Sequence, residues 1–228
     1  MKIENINKLF DNTLLKPEAT WQEIEDIVDE SLEYKFRNVV VPWYAVPYAV
    51  DRVRGTEVGV NIGIGFPLGY VPTEIKLREI DYYINLGPET TDFDMVANIS
   101  LVKSDKWDAV KRELTLISEA VKKHDRITKI IIETSRLTDD EIRKICEVIM
   151  EIPTIDFVKT GTGFGPRATT LNDVKIIHSI VKGVKKIKVS GGVRTLGQVE
   201  EYIAHGADIF GASASLSILN EYNKKNSD

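Results

Sequence analysis

One cysteine and three histidines stand in a chain of 228 residues, and that scarcity removes several kinds of chemistry at once. Cys146 alone can form no internal disulfide, which suits a reducing compartment. It follows helical spacing from Ile142 in DDEIRKICEVIM and reads as a core residue. His124, His178 and His205 all fall late in helix-like segments, so a zinc site with several imidazoles would contradict the strand pattern described below. Long apolar runs are missing too. The longest, VVVPWYAVPYAV, is interrupted by Pro42 and Pro47 and falls short of the roughly 20 residues a spanning helix needs. MKIENINKLF has no apolar core of export-signal length. Charge of one sign is nowhere concentrated: 30 basic and 35 acidic residues give −5, which argues against nucleic acid as a main partner. No P-loop, G-x-S-x-G elbow or early G-x-G-x-x-G is found. The expectation is a cytoplasmic protein with no membrane and no nucleic-acid partner.

What is present is one rhythm. Strand-like runs recur around Asp11, Val40, Ile62, Asp94, Ile131, Val158, Lys188 and Ile209, each followed by a turn signal. Between them lie amphipathic segments such as PEATWQEIEDIVDESLEY, PTEIKLREIDYYINLG and KWDAVKRELTLISEAVKKH. SRLTDDEIRKICEVIM opens on an N-cap-like Thr138; TTLNDVKIIHSIVKG and TLGQVEEYIAHG each close on a glycine. Eight β-α units of about 28 residues, with no linker between them, predict an α/β fold: a (β/α)₈ TIM barrel, one domain over 1–228. An open doubly wound sheet shares the rhythm, but the glycine-rich turns come late, after the sixth, seventh and eighth strands.

Barrel enzymes place their chemistry at the C-terminal strand ends, which narrows the candidates to Asp11, Thr13, Asp92, Asp94, Glu133, Lys159, Lys188 and the turns GTGFG, SGG and GAS. In IDFVKTGTGFG, Ile155, Phe157 and Lys159 share one strand face by the period of two. Lys188 lies between Ile187 and Val189, so if those pack against helices the lysine points inward. Two buried ammonium groups on adjacent strands disfavour each other's charge, and a neutral amine is a nucleophile toward carbonyls. The alternative is that both lysines reach the rim and only balance Asp92, Asp94 or Glu133. Those three carboxylates could hold Mg²⁺, but the neighbouring lysines oppose it, and no metal or cofactor is expected. The glycine turns expose backbone N–H groups and suit a phosphate, with Arg194 adding charge or capping the rim.

DNTLLKPEAT, IGFPLG, DFDMV, IIIETSRLTDDEI, DFVKTGTGFG, VSGGVRT and GASAS together resemble the motifs of 2-deoxyribose-5-phosphate aldolase, in that family's order. The resemblance implies a class I aldolase that reversibly cleaves 2-deoxy-D-ribose 5-phosphate to D-glyceraldehyde 3-phosphate and acetaldehyde. It implies Lys159 as the Schiff-base lysine, Lys188 as the second lysine that perturbs it and moves protons, and Asp94 as their acidic partner. Substrate binding falls by the same resemblance to Asp11, Thr13, Thr162, Gly163, Gly191, Gly192, Gly211 and Ser213. A small phosphorylated sugar is the expected ligand, and a homodimer or homotetramer the expected assembly. Departures are Gly161 where the family commonly has serine, Asn12 for histidine, Val40 for cysteine, and a longer approach to the fourth strand. Tyr222 in the tail is the nearest counterpart of a terminal tyrosine that closes the site in some members. Other readings are a Schiff-base aldolase for another phosphorylated sugar, or a barrel that binds phosphometabolites without catalysis.

Overall fold

The computed structural model describes residues 3–227. Eight parallel strands close into a barrel in chain order: β1 (Phe10–Thr13), β2 (Asn38–Val40), β3 (Gly59–Ile64), β4 (Thr90–Val96), β5 (Ile127–Ile131), β6 (Phe157–Lys159), β7 (Lys186–Ser190) and β8 (Ile209–Ala212). All eight fall where the apolar runs predicted them. The last strand pairs with the first, Asp11 lying opposite Gly211, so no edge is left open.

Helices cover the outside: α1 (Trp21–Glu33), α2 (Val46–Val53), α3 (Thr73–Ile84), α4 (Ile99–Lys103), α5 (Trp107–Lys122), α6 (Asp139–Met150), α7 (Leu171–Val181), α8 (Leu196–Ala204) and α9 (Ser215–Asn226). Thr20, Thr138, Thr170 and Thr195 start α1, α6, α7 and α8 with reciprocal capping boxes, each threonine cap contributing about 1 kcal/mol. None of the helices among the described residues is long and apolar enough to cross a membrane.

Three helices, α2, α4 and α9, escape the sequence pattern. Pro47 sits in the first turn of α2, where its missing N–H costs nothing, so the proline read as an interruption is an initiator. The polar tail hides α9, whose buried stripe is only Ile218, Leu219 and Tyr222 beyond Ser215.

Strand alternation divides the core. Val39, Ile62, Met95, Ile130, Val158, Val189 and Phe210 face the helices in one continuous apolar layer, together with Cys146. Burial pushes the Cys146 thiol up to about 12, so it packs as a small apolar group. The other strand face points to the barrel axis and is polar. Phe157 lies on it, with Lys129 Nζ 5.8 Å from its ring centroid. Ile155 does not share that face: it precedes β6 and joins the outer layer.

Tyr222 lies far from the strands' C-terminal ends. Its hydroxyl accepts from the Ile3 N–H at 2.9 Å and donates to the Ile3 carbonyl at 2.8 Å, fastening the end of α9 beneath β1. Replacing Tyr222 with Phe is expected to lower stability by about 1–2 kcal/mol in a denaturant titration, with catalytic rate unchanged.

Candidate active site

The axis of this barrel carries charge where most carry branched apolar side chains. Residues paired across parallel strands point to one side, and the register sets Lys159 beside Lys188 and Asp94 beside Lys129. Asp94 is the hub. Its Oδ2 accepts from Lys159 Nζ at 2.7 Å and from Lys188 Nζ at 2.6 Å. Its Oδ1 lies 3.1 Å from Lys129 Nζ.

A second tier holds this triangle in place. Asp11 accepts from Lys188 through Oδ2 and from Arg37 through Oδ1, and Asp92 pairs with Lys129 at 2.5 Å and Arg37 at 2.6 Å. Asn61 donates to Asp94 Oδ2 at 2.9 Å and accepts from Lys129 at 3.0 Å. Asn38 donates to Asp11 at 2.9 Å.

Four cationic side chains (Arg37, Lys129, Lys159, Lys188) thus face three carboxylates (Asp11, Asp92, Asp94) in a nearly dry interior. The surplus positive charge falls on Lys159. Burial disfavours its ammonium, Asp94 opposes that, and the Lys188 charge adds to it, so its pKa drops from 10.5 to about 8. At pH 7 that raises the neutral fraction by about 300-fold. Lys188 behaves oppositely. Burial would lower it too, but Asp11 and Asp94 on either side outweigh burial and hold it above the usual lysine value. Burial likewise pushes Asp11 and Asp94 up, and the lysines outweigh it, keeping both carboxyls well below the usual range. Environment therefore biases one lysine toward the neutral amine and its neighbour toward the ammonium.

A cavity of about 450 Å³ opens above these groups, lined by Lys159, Lys188, Thr13, Val40, Asn61, Thr162, Phe164, Arg194 and the three late turns. Lys188 is 1 % exposed, so neither it nor Lys159 at 7 % reaches the rim to act as a solvated counter-charge. Gly163, Gly191, Gly192, Gly211 and Ser213 all line this cavity. Gly191 and Gly192 both hold φ of 89°, and a Cβ on Gly192 would lie 2.5 Å from Ala168 Cβ, so the turn requires glycine. Among the described residues nothing accepts from the N–H groups of Gly163, Gly191 or Gly192. Free N–H groups beside the start of α9 make a concavity suited to an anion.

The remaining sequence candidates separate. Thr13 lines the cavity and donates to the Asp11 carbonyl at 2.8 Å. Asp11 lies one tier below, fully buried against Lys188 rather than lining the cavity. Gly211 makes room for that lysine: a Cβ there would come within 3.2 Å of Lys188 Cε. Glu133 turns away from the lysines and accepts from Thr162 and Ser135. Among the described residues no group of three or more His, Cys, Asp or Glu side chains is placed to hold a metal ion. Lys129, Arg37 and Asn61 were not anticipated. Lys129 was open to the argument that found Lys188, since it alternates with Ile130 on β5, whereas Arg37 precedes its strand and shows no such signal.

The chain is similar to known proteins over nearly its whole length. The deoxyribose-phosphate aldolase of Caldanaerobacter subterraneus subsp. tengcongensis is 41 % identical over 222 residues, spanning 97 % of this chain and 95 % of the relative. The chain belongs to the deoxyribose-phosphate aldolase family. The family's enzyme from Lactiplantibacillus plantarum is 38 % identical over 214 residues, covering 94 % of this chain and 98 % of its own. A solved structure of the family, the tetrameric deoxyribose phosphate aldolase of Aeropyrum pernix, superposes with a TM-score of 0.87 at 28 % identity, over 98 % of this chain and 92 % of that one. Another, named QR15, an aldolase, gives 0.90 at 38 % identity over 99 % of both chains. No protein-family model matches the sequence.

The charge ledger makes a prediction that needs no substrate. Competitive acetylation read by mass spectrometry should show Lys159 reacting with a midpoint near pH 8. In Lys188→Leu the like charge is gone and Asp94 is shared with fewer cations, so the midpoint should rise by about one unit or more.

Proposed function

We propose that this protein cleaves 2-deoxy-D-ribose 5-phosphate reversibly to D-glyceraldehyde 3-phosphate and acetaldehyde through a Schiff base on Lys159. The observation that carries the reading is Asp94 Oδ2, which sits between Lys159 Nζ at 2.7 Å and Lys188 Nζ at 2.6 Å on the cavity floor. Family membership supplies the substrate.

Neutral Lys159 adds through Nζ to the aldehyde carbon C1 of the open-chain sugar. Lys188, held as an ammonium, gives a proton to the carbinolamine hydroxyl, and water leaves with it. The resulting iminium is an electron sink at C1. Lys188 is now neutral, and it takes the C3 hydroxyl proton as the C2–C3 bond breaks. That bond's electron pair moves into C1=C2, giving an enamine, and C3 becomes the carbonyl carbon of glyceraldehyde 3-phosphate. Protonation of C2 by Lys188 regenerates an iminium, and water hydrolyses it to acetaldehyde and free Lys159. Each proton lent is recovered, so the cycle closes with Lys188 again charged. Positioned proton transfer of this kind contributes roughly 10²–10⁴-fold.

Binding at the far end aligns the reacting carbon. The phosphate is assigned to the turns at Thr162–Gly163, Gly191–Gly192 and Gly211–Ser213, whose place around the cavity supports the assignment. Val40, at the cavity wall, offers no polar group, and Thr13 and Asn61 remain to meet the sugar hydroxyls. A homodimer or homotetramer is the assembly proposed, supported by the tetramer described for the Aeropyrum pernix relative.

Borohydride added during turnover should fix the two-carbon or five-carbon fragment on Lys159, located by peptide mass. Replacing Lys159 with Met should abolish the adduct and lower turnover by on the order of 10³-fold or more. Full turnover with an unmodified Lys159 would refute the assignment. Adduct formation only with other phosphorylated sugars would keep the chemistry and change the substrate.

A further inference from the structure

Glu133 is a buried carboxylate that the mechanism above does not use. It lies two residues past β5 with φ 50° and ψ 62°, a left-handed conformation uncommon for a residue with a side chain. Both of its oxygens are engaged. Oε2 accepts from the Thr162 N–H at 3.1 Å and from the Thr162 hydroxyl at 2.5 Å. Oε1 accepts from Ser135 Oγ at 2.7 Å.

The glycines of GTGFG fit around this group. A Cβ on Gly165 would lie 2.6 Å from Oε1, and one on Gly161 3.1 Å from it. The turn after Lys159 therefore wraps a carboxylate, with glycine at the two places where it passes closest. Thr162 relays the hold, since its hydroxyl oxygen accepts from the Phe164 N–H at 3.1 Å. The next residue fastens the same loop further along: Thr134 donates to Asp173 at 3.1 Å, and Arg167 makes a two-pronged pair with that carboxylate at 2.7 and 3.0 Å.

We infer that Glu133 is the positioning residue of the phosphate-binding turn: it fixes Thr162 so that the Gly163 N–H points into the cavity. This rests on the proposed function for its choice of substrate. Glu133 touches neither Asp94 nor either site lysine; its hydrogen-bond partners are Thr162 and Ser135, which confines its action to the remote end of the ligand. One carboxylate oxygen takes both Thr162 donors and the other takes Ser135 Oγ; an amide keeps the Thr162 contacts only by turning its NH₂ to the Ser135 hydroxyl, which can accept.

The test is Glu133→Ala, with Thr162→Val as a second variant that keeps the backbone donor and removes the hydroxyl, and Glu133→Gln as the conservative control. With deoxyribose 5-phosphate, KM should rise about tenfold or more in Glu133→Ala and by a smaller factor in Thr162→Val, and the Glu133→Gln control should recover most of the loss. With unphosphorylated deoxyribose, kcat/KM should stay within about threefold of the parent, and the pH shoulder at which the rate rises as Lys159 loses its proton should remain where the parent has it. Calorimetry with inorganic phosphate alone should show weaker binding by the same factor, and this arm needs no turnover. Equal losses on both sugars with a displaced pH shoulder would show that Glu133 acts on Lys159 and overturn the inference. Unchanged phosphate binding in both variants would overturn it as well. A parent that binds phosphate but fails to cleave deoxyribose 5-phosphate would defeat the proposed substrate and leave the calorimetric result to judge Glu133.

Discussion

One carboxylate shared by three lysines governs this barrel. Asp94 keeps Lys129, Lys159 and Lys188 together in a space where any two ammonium groups would otherwise repel strongly. Its own charge is secured by those lysines against the cost of burial. The network is nonetheless one negative charge short, since Arg37 joins the lysines against only Asp11, Asp92 and Asp94. Lys188 is paired with two carboxylates, Asp11 and Asp94, and stays charged; Lys159, buried with a share of Asp94 alone, releases its proton more readily than Lys188.

The fold exists to make that shortage tolerable. A closed parallel sheet satisfies every strand on both sides, so its outer face can carry the whole apolar core against the helices. The inner face is then free of the duty of holding the barrel together. Asn38 and Asn61 add hydrogen bonds to Asp11, Asp94 and Lys129, which lowers the cost of burying so many charges. Gly211, across from Ser190 on β7, clears the volume that the Lys188 side chain fills. Activity and stability thus draw on opposite faces of the same strands.

Much of this could be read in the residues. Alternation exposed Lys188 between Ile187 and Val189, and the recurring strand-turn-helix units revealed the barrel. Lys159 was visible as an ammonium at the end of an otherwise apolar strand, although Ile155 proved to lie outside that strand. Lys129 obeys the same alternation, but TKIIIETS reads as an apolar run with a charged start, which hides it. Arg37 and the direction of Glu133 were not legible, because both depend on how side chains cross between strands rather than on spacing along one. Gly161, puzzling as a sequence departure, has its place once Glu133 is seen: its Cα faces that carboxylate's Oε1. Pro47 and the polar tail concealed α2 and α9, since first-turn proline and a narrow apolar stripe both weaken the helical pattern.

The central claim is that burial, offset only by a share of Asp94 and reinforced by the Lys188 charge, leaves Lys159, and not Lys188, able to shed its proton near neutrality. Nitrogen-15 NMR of the lysine side chains separates amine from ammonium directly, with Lys159→Met and Lys188→Leu supplying the assignments. The account predicts that the Lys159 nitrogen titrates with a midpoint near 8 while Lys188 remains an ammonium throughout that range. A Lys159 that stays charged to pH 10, or a Lys188 that titrates first, would contradict it.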